Sequence, residues 1–183
     1  DDMVSRGLGD VYKRQSAMGE KILHTGELGS ASVLKVITNY LASVHLVALG
    51  EAWTVAKKSN LDLEKTFKGI AISSGNSFVH ETESQVILNG SYNINFTMDL
   101  VLKDTSLFDN LAKKLNSSLE ISPMIVKIFQ EGLKSYGPRA WSSMIVKRME
   151  EKNKIEFRAK GFPTELIDKD PEKKGYETVS YTH

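Results

Sequence analysis

A lysine and an asparagine four residues apart, Lys35 and Asn39, form the most informative chemical pattern in the sequence. On a helix this spacing places both side chains on one face, within reach of the same small molecule. Gly26 and Gly29 precede them and allow the backbone to approach a ligand closely where that helix begins. The pattern therefore predicts a small-molecule site near the start of a helix.

The surroundings of Lys35 leave two interpretations of its amine. The neighbouring residues are mostly apolar, so the side chain either extends to solvent along its aliphatic stem or is held beside a buried ligand. In the second case burial lowers the pKa of the amine, which suits proton transfer near neutral pH. The residue pattern by itself favours the first interpretation.

A second polar group, the pair Lys103 and Asp104, follows two apolar turns that begin at Phe96 and Thr97. By periodicity this pair is typical of exposed charges beside a core stripe.

Elsewhere, His80-Glu81 lacks the second histidine of a zinc-binding helix, and we expect no metal site.

Composition excludes several classes of function. The formal net charge is +1, from 24 basic and 23 acidic residues, and neither sign forms a long block, so we expect no nucleic-acid or membrane partner. The absence of cysteine excludes disulfides and thiolate chemistry. No uninterrupted apolar run approaches the roughly 18 residues that span a bilayer. We expect a cytoplasmic protein.

Hydrophobic periodicity predicts an all-α bundle. Apolar residues recur at three- and four-residue steps from Ser30 to about Ser59, on more than one stripe, which predicts a long central helix enclosed by others. Asn60 or Asp62 can cap a second helix, Thr97 can cap a later one, and a last helix carries Trp141 to Met149.

Beyond residue 153 the frequent proline, glycine and charged residues predict an irregular tail, residues 154–178. Residues 1–17 and 179–183 look foreign to the rest and are interpreted as non-native ends.

Taken together, the two polar patterns resemble the β-hydroxyacid dehydrogenase family. The family's first motif, at the junction of a Rossmann domain and a long helix, is matched by Gly26, Gly29, Lys35 and Asn39. Its second motif is matched by Phe96, Asp99, Leu100, Lys103 and Asp104. The sequence departs from the family at Ala31, where a third glycine is usual, and at Ala140-Trp141-Ser142, where many members have an aspartate before the serine.

The resemblance implies a fold and a domain organisation. The fold resembles the C-terminal domain of 6-phosphogluconate dehydrogenase, with residues 27–153 as a helical substrate and dimerisation domain and residues 18–26 as the remnant of the last Rossmann strand. The sequence contains no G-x-G-x-x-G, so the main nucleotide-binding domain is expected to be missing. The fragment alone is then expected to be inactive.

The resemblance also implies roles for individual residues. Lys35 would be the general acid/base in hydride transfer between NAD or NADP and a small β-hydroxy acid or semialdehyde. Gly29, Asn39, Phe96 and Asp104 would contact the substrate, and Lys103 would contact the cofactor. A homodimer is expected. The competing hypothesis is a non-catalytic helical dimerisation or interaction module, which the long apolar helix would serve equally well.

Overall fold

The computed structural model describes residues 19–167 and 175–177. It divides the chain into two compact units, residues 1–34 with 168–183, and Lys35–Ile167. The predicted non-native ends, residues 1–17 and 179–183, lie outside the described residues. All of the predicted site residues except Gly29 fall in the second unit.

The first unit contains two short parallel strands. β1 (Lys21–Ile22) lies within the segment where a strand is predicted, and it pairs with β2 (Tyr176–Glu177). The amide of Tyr176 donates to the carbonyl of Glu20 at 2.8 Å. The chain then turns at Gly29, whose φ of +97° lies in the left-handed region that glycine adopts without strain.

Helices make up nearly all the remaining regular structure of the described residues, which confirms the predicted all-α fold. In chain order they are α1 (Ser30–Lys58), α2 (Leu63–Ala71), α3 (Phe78–Asn89), α4 (Met98–Lys114), α5 (Ile121–Tyr136), a 3₁₀ helix (Ser142–Val146) and α6 (Lys147–Asn153).

Side-chain caps fix the starts of α2 and α3. The Asp62 carboxylate accepts from the amide of Lys65 at 2.9 Å, as predicted for this cap. The Ser77 hydroxyl accepts from the amide of His80 at 3.0 Å. Gly90, with a φ of +93°, ends α3 in the left-handed conformation common after a helix.

Thr97 occupies the predicted cap position of α4, but the predicted side-chain cap is wrong. The Thr97 hydroxyl makes no capping hydrogen bond and donates to the carboxylate of Asp99. Thr97 is held by a different interaction, an antiparallel bridge to Trp141. The predicted last helix also differs, because Trp141 precedes it and residues 142–146 form a 3₁₀ helix.

The expectation that other helices enclose α1 holds only for its second half. Leu46, Leu49 and Trp53 are buried, whereas Ile37 and Leu41 are exposed. In the described part of the chain the other helices pack around the second half, so the first half keeps an open apolar face.

Among the described residues α1 is also long and apolar enough to cross a membrane, with a mean hydropathy of 1.5 over 18 residues. The sequence prediction missed this because it required an uninterrupted apolar run, which Thr38, Asn39 and Ser43 break. The core helix of a globular protein gives the same signal. Leu46 and Trp53 belong to the core of the second unit, as such a helix requires.

Residues 154–167, which follow α6, pack against the core although they have no regular structure. Phe157 is fully buried, and the amide of Ala159 donates to the carbonyl of Leu88 at 3.0 Å. The Glu150 carboxylate, itself buried, accepts from the amide of Phe157 at 2.6 Å and from the Arg158 guanidinium at 2.7 Å. A buried charge with these partners anchors the segment to α6.

Candidate active site

The lysine and asparagine of α1 are bonded to each other. Lys35 Nζ donates to Asn39 Oδ1 at 2.5 Å, as their four-residue spacing allows. Lys35 is exposed and Asn39 is half-buried. The amine is therefore accessible to solvent, in agreement with the interpretation that the side chain extends to solvent. It is nevertheless hydrogen-bonded to a half-buried residue.

Asp104 of α4 fixes the orientation of that asparagine. Asn39 Nδ2 donates to Asp104 Oδ2 at 2.5 Å, across 65 positions of the chain. Because an ionised carboxylate only accepts hydrogen bonds, the amide must turn its NH₂ group toward Asp104 and its oxygen toward Lys35. Asp104 thus determines which atom of Asn39 the lysine meets.

The opposite oxygen of the same carboxylate holds the second lysine. Lys103 Nζ lies 3.1 Å from Asp104 Oδ1, and the Lys103 side chain is 59% exposed while that of Asp104 is 16% exposed. The four residues Lys35, Asn39, Asp104 and Lys103 form a continuous chain of contacts, called here the polar relay. It has an amine at each end and one carboxylate between them.

Aromatic packing holds α1 and α4 together beside the polar relay. The rings of Tyr40 and Phe108 stack with centroids 3.9 Å apart and planes 5° apart. Phe108 follows Asp104 by one helical turn, and Tyr40 follows Asn39 directly, so the ring pair and the Asn39–Asp104 bond support the same helix contact.

A cavity of about 200 Å³ borders Lys35 and Asn39 of the polar relay. Its lining includes polar and apolar residues, which are Lys35, Asn39, Ala42, Ser43, Leu46, Glu83, Phe96, Val101 and Ser142. Such a mixture of a few polar groups on an apolar wall is typical of a small-ligand site. Two of the predicted substrate contacts, Asn39 and Phe96, thus reach the same cavity as Lys35.

The bridge between residues 97 and 141 brings Phe96 and Ser142 to this cavity. The amide of Ser142 donates to the carbonyl of Phe96 at 2.8 Å, and the amide of Met98 donates to the carbonyl of Ala140 at 2.8 Å. Two loops far apart in sequence are thereby fixed side by side. Ser142 stands within the segment where the sequence departs from the family.

Sequence reasoning missed Glu83, which lies on α3 and lines the cavity. Its Oε2 is buried without a hydrogen-bond partner among the described residues, and burial raises the pKa of its carboxyl to about 8. A signal was present, because Glu83 is four residues from both Val79 and Ile87, which are buried. A charged residue on the apolar stripe of a helix is unusual unless it has a role.

Gly29 belongs to the other unit and precedes the first residue of α1. A Cβ added to it would meet nothing within 4 Å, so the space around it is open in this structure. Its positive φ accounts for glycine at this position without a ligand. Its predicted substrate contact stays a prediction.

Comparison with known proteins identifies the family. Residues 29–149, more than half of the chain, match the family model described as "NAD-binding of NADP-dependent 3-hydroxyisobutyrate dehydrogenase". The chain belongs to the 3-hydroxyisobutyrate dehydrogenase-like family. The resemblance drawn from the two motifs is thereby confirmed. The family consists of NAD(P)-dependent hydroxyacid dehydrogenases, so its members are oxidoreductases.

Individual relatives in the 3-hydroxyisobutyrate dehydrogenase-like family have different names. An L-threonate dehydrogenase from Haemophilus influenzae is 28% identical over 131 residues, which cover 70% of this chain and 44% of that protein. A mitochondrial 3-hydroxyisobutyrate dehydrogenase from Drosophila melanogaster is 26% identical, covering 62% of this chain and 37% of that one. The crystal structure of a 3-hydroxyisobutyrate dehydrogenase from Salmonella typhimurium superposes with a TM-score of 0.61 at 26% identity, covering 66% and 42% of the two chains. The present chain spans less than half the length of these relatives.

Proposed function

We propose that the chain is the helical, substrate-contacting part of an NAD(P)-dependent hydroxyacid dehydrogenase, with Lys35 as its general acid/base. The observation that supports this most is the polar relay at the edge of a small cavity. It gathers Lys35, Asn39, Lys103 and Asp104, which match the two motifs of the family. The substrate is then a small β-hydroxy acid or the corresponding semialdehyde.

The proton moves through Lys35 in this proposal. On oxidation its neutral amine takes the proton of the substrate hydroxyl, and on reduction its ammonium returns that proton to the carbonyl oxygen. Asn39 Oδ1 accepts one N–H of the lysine in either state, which leaves the remaining positions on Nζ for the substrate oxygen. Asp104 acts indirectly, as a positioning residue that orients the Asn39 amide.

The residues of this chain fit one end of a nicotinamide cofactor. Phe96 provides an aromatic ring in the cavity wall, and Lys103 provides a cation that solvent can reach. A bound nicotinamide would supply the acceptor or donor of the hydride at the carbinol carbon. The described strands are two residues long and the sequence has no G-x-G-x-x-G, so we infer that a domain outside these 183 residues holds the phosphates and adenine.

A dehydrogenase assay tests the proposal. Purified chain and the longest product of its coding sequence are incubated with NAD or NADP and either L-threonate or 3-hydroxyisobutyrate, and nicotinamide absorbance is followed. We expect turnover by the longer product and none by the 183 residues alone. Absence of turnover by the longer product with every pair, although an acid binds, would contradict the proposal.

A second candidate is a non-catalytic helical dimerisation or interaction module, which the exposed apolar residues Ile37 and Leu41 of α1 favour. We infer that this face is covered in a homodimer, which is compatible with either function. Sedimentation of the chain with Ile37 and Leu41 replaced by Gln tests it. A dimer that persists in the double variant would exclude this face as the contact.

We also infer a cytoplasmic location, which the lack of cysteine and the balanced charge support. Cell fractionation tests this, and recovery of the protein in the membrane pellet would contradict it.

A further inference from the structure

Two buried polar atoms without partners lie on residues that line the same cavity. They are Glu83 Oε2 and Ser142 Oγ, which make no hydrogen bond to any described residue. Buried polar side chains in native proteins are almost always paired, with the protein or with something it binds. Two such atoms beside one cavity therefore indicate a ligand group that forms hydrogen bonds with them.

The cavity has the size of a small organic acid. Its volume of about 200 Å³ is enough for several water-sized groups. Lys35 and Asn39 provide polar contacts on the α1 side, while Glu83 and Ser142 lie on α3 and at the start of the 3₁₀ helix. A ligand that meets Lys35 with one oxygen would thus have a second polar contact available from other elements of the fold.

The chemistry of Glu83 limits what this second group can be. Because burial raises the pKa of its carboxyl to about 8, the group is mostly neutral at pH 7 and both donates and accepts. The Ser142 hydroxyl does the same. An alcohol hydroxyl complements both, whereas a methyl group leaves both unpaired, and a second carboxylate would be repelled whenever Glu83 ionises.

We propose that Glu83 and Ser142 form a subsite that hydrogen-bonds a second hydroxyl group of the substrate, so that a polyhydroxy acid binds better than a hydroxy acid with a methyl group in that place. This inference rests on the proposed function, because it assigns the substrate class of the same cavity. Glu83 also borders a neighbouring cavity of about 750 Å³, which it shares with Asn39 and Ala42. The longer end of a polyhydroxy acid can extend there.

Ligand-detected NMR titrations of the purified chain test the subsite. The probes are L-threonate, which carries additional hydroxyl groups, and 3-hydroxyisobutyrate, which carries a methyl group. We expect L-threonate to bind about 10-fold more tightly or better. The Glu83→Leu and Ser142→Ala variants should each lose most of that preference.

Two further variants separate recognition from folding. Glu83→Gln keeps a neutral group that donates and accepts, so it should retain most of the preference at pH 7. Glu51→Leu, a change of the same type at an exposed position of α1, should leave both affinities unchanged. Circular dichroism verifies the fold of each, and Ser142→Ala tests the subsite even if Glu83→Leu fails to fold.

The outcomes distinguish the two claims. Equal binding of both acids, unchanged in Glu83→Leu and Ser142→Ala, would overturn the subsite and leave the proposed dehydrogenase intact. Binding of neither acid to the chain would overturn the subsite, and turnover by the longer product then decides the proposed function separately. A preference for L-threonate that survives Ser142→Ala and Glu83→Leu would place its recognition elsewhere and also overturn the subsite.

Discussion

Asn39 on α1 and Asp104 on α4 are joined by a hydrogen bond of 2.5 Å, and this bond turns the oxygen of the asparagine toward Lys35. Neither residue could fix the lysine by itself. The orientation depends on a carboxylate that lies 65 positions later in the chain. The geometry of the proposed acid/base is therefore a property of the contact between two helices.

Replacing Asn39 by Leu should uncouple this arrangement. Lys35 loses its acceptor and Asp104 loses a part-buried donor, so we expect the free energy of unfolding to fall by about 1–2 kcal/mol. Misplacement of the amine should lower kcat/KM by about 10²-fold in the active protein. Urea unfolding and steady-state kinetics measure both effects. Asn110→Leu, at an exposed site of α4, is the control, and equal losses in both variants would contradict the role of Asn39.

The buried carboxyl of Glu83 should make stability depend on pH. Its pKa is raised from 4.5 to about 8 in the folded state, so between these values the folded protein keeps a proton that the unfolded chain has lost. Unfolding then releases a proton, so the contribution of Glu83 to stability should be largest below about pH 4.5 and should be lost as pH rises to about 8.

Urea midpoints across this pH range, for the wild type and Glu83→Gln, measure that dependence. Lys35 and His45 border the two cavities beside Glu83 and are present in both proteins, so the difference between the two curves isolates residue 83. The stability of the wild type relative to the variant should fall with rising pH. A difference that stays constant would mean that Glu83 does not titrate in this range.

Two helical glycines should respond in opposite directions to substitution by alanine. A Cβ at Gly132 of α5 would lie 2.6 Å from Cδ1 of the buried Ile145, so overpacking by about 1–3 kcal/mol should exceed the alanine gain of about 1 kcal/mol. A Cβ at Gly69 of α2 meets nothing within 4 Å, so Gly69→Ala should gain up to about 1 kcal/mol. Thermal unfolding distinguishes them, and stabilisation by Gly132→Ala would show that this contact is looser than described.

The Glu150 carboxylate should be essential for the segment after α6. Glu150→Ala removes the acceptor of the Phe157 amide and one acceptor of the Arg158 guanidinium. Because the Arg158 side chain is 35% exposed, we expect a loss of about 1–3 kcal/mol. Glu151→Ala, at the exposed neighbouring position, should cost less than about 1 kcal/mol, although Glu151 accepts from the Tyr136 hydroxyl at 2.8 Å. Chemical denaturation gives both values. Similar small losses would argue that Glu150 is solvated in solution.

Local spacing was sufficient to predict one half of the polar relay. Lys35 and Asn39 share a helical face because of their four-residue separation, and the long periodic segment determines the helix on which they lie. The link to Asp104 came only from the resemblance to a family, since periodicity alone favours an exposed charge pair at residues 103 and 104. The structure brings Asp104 and Asn39 together through helix packing, which no local pattern encodes.

The parts of the site that were missed depend on tertiary structure. Ser142 reaches the cavity because its amide pairs with the carbonyl of Phe96, a contact between loops distant in sequence. The sequence pattern instead predicted a continuous helix there, because Trp141, Met144 and Ile145 have helical spacing. Glu83 was detectable as a charge on the apolar stripe of α3, but its cavity exists only once α1 and α3 are both in place.

The pH-dependent turnover of the Lys35→Ala variant, with and without an added primary alkylamine, shows directly whether Lys35 transfers the proton. If Lys35 is the general acid/base, kcat should fall by about 10²–10⁴-fold and an alkylamine should restore part of it, while Lys35→Arg should stay inactive because arginine does not release its proton. Near-normal turnover by Lys35→Ala with an unchanged pH profile would mean that another group transfers the proton.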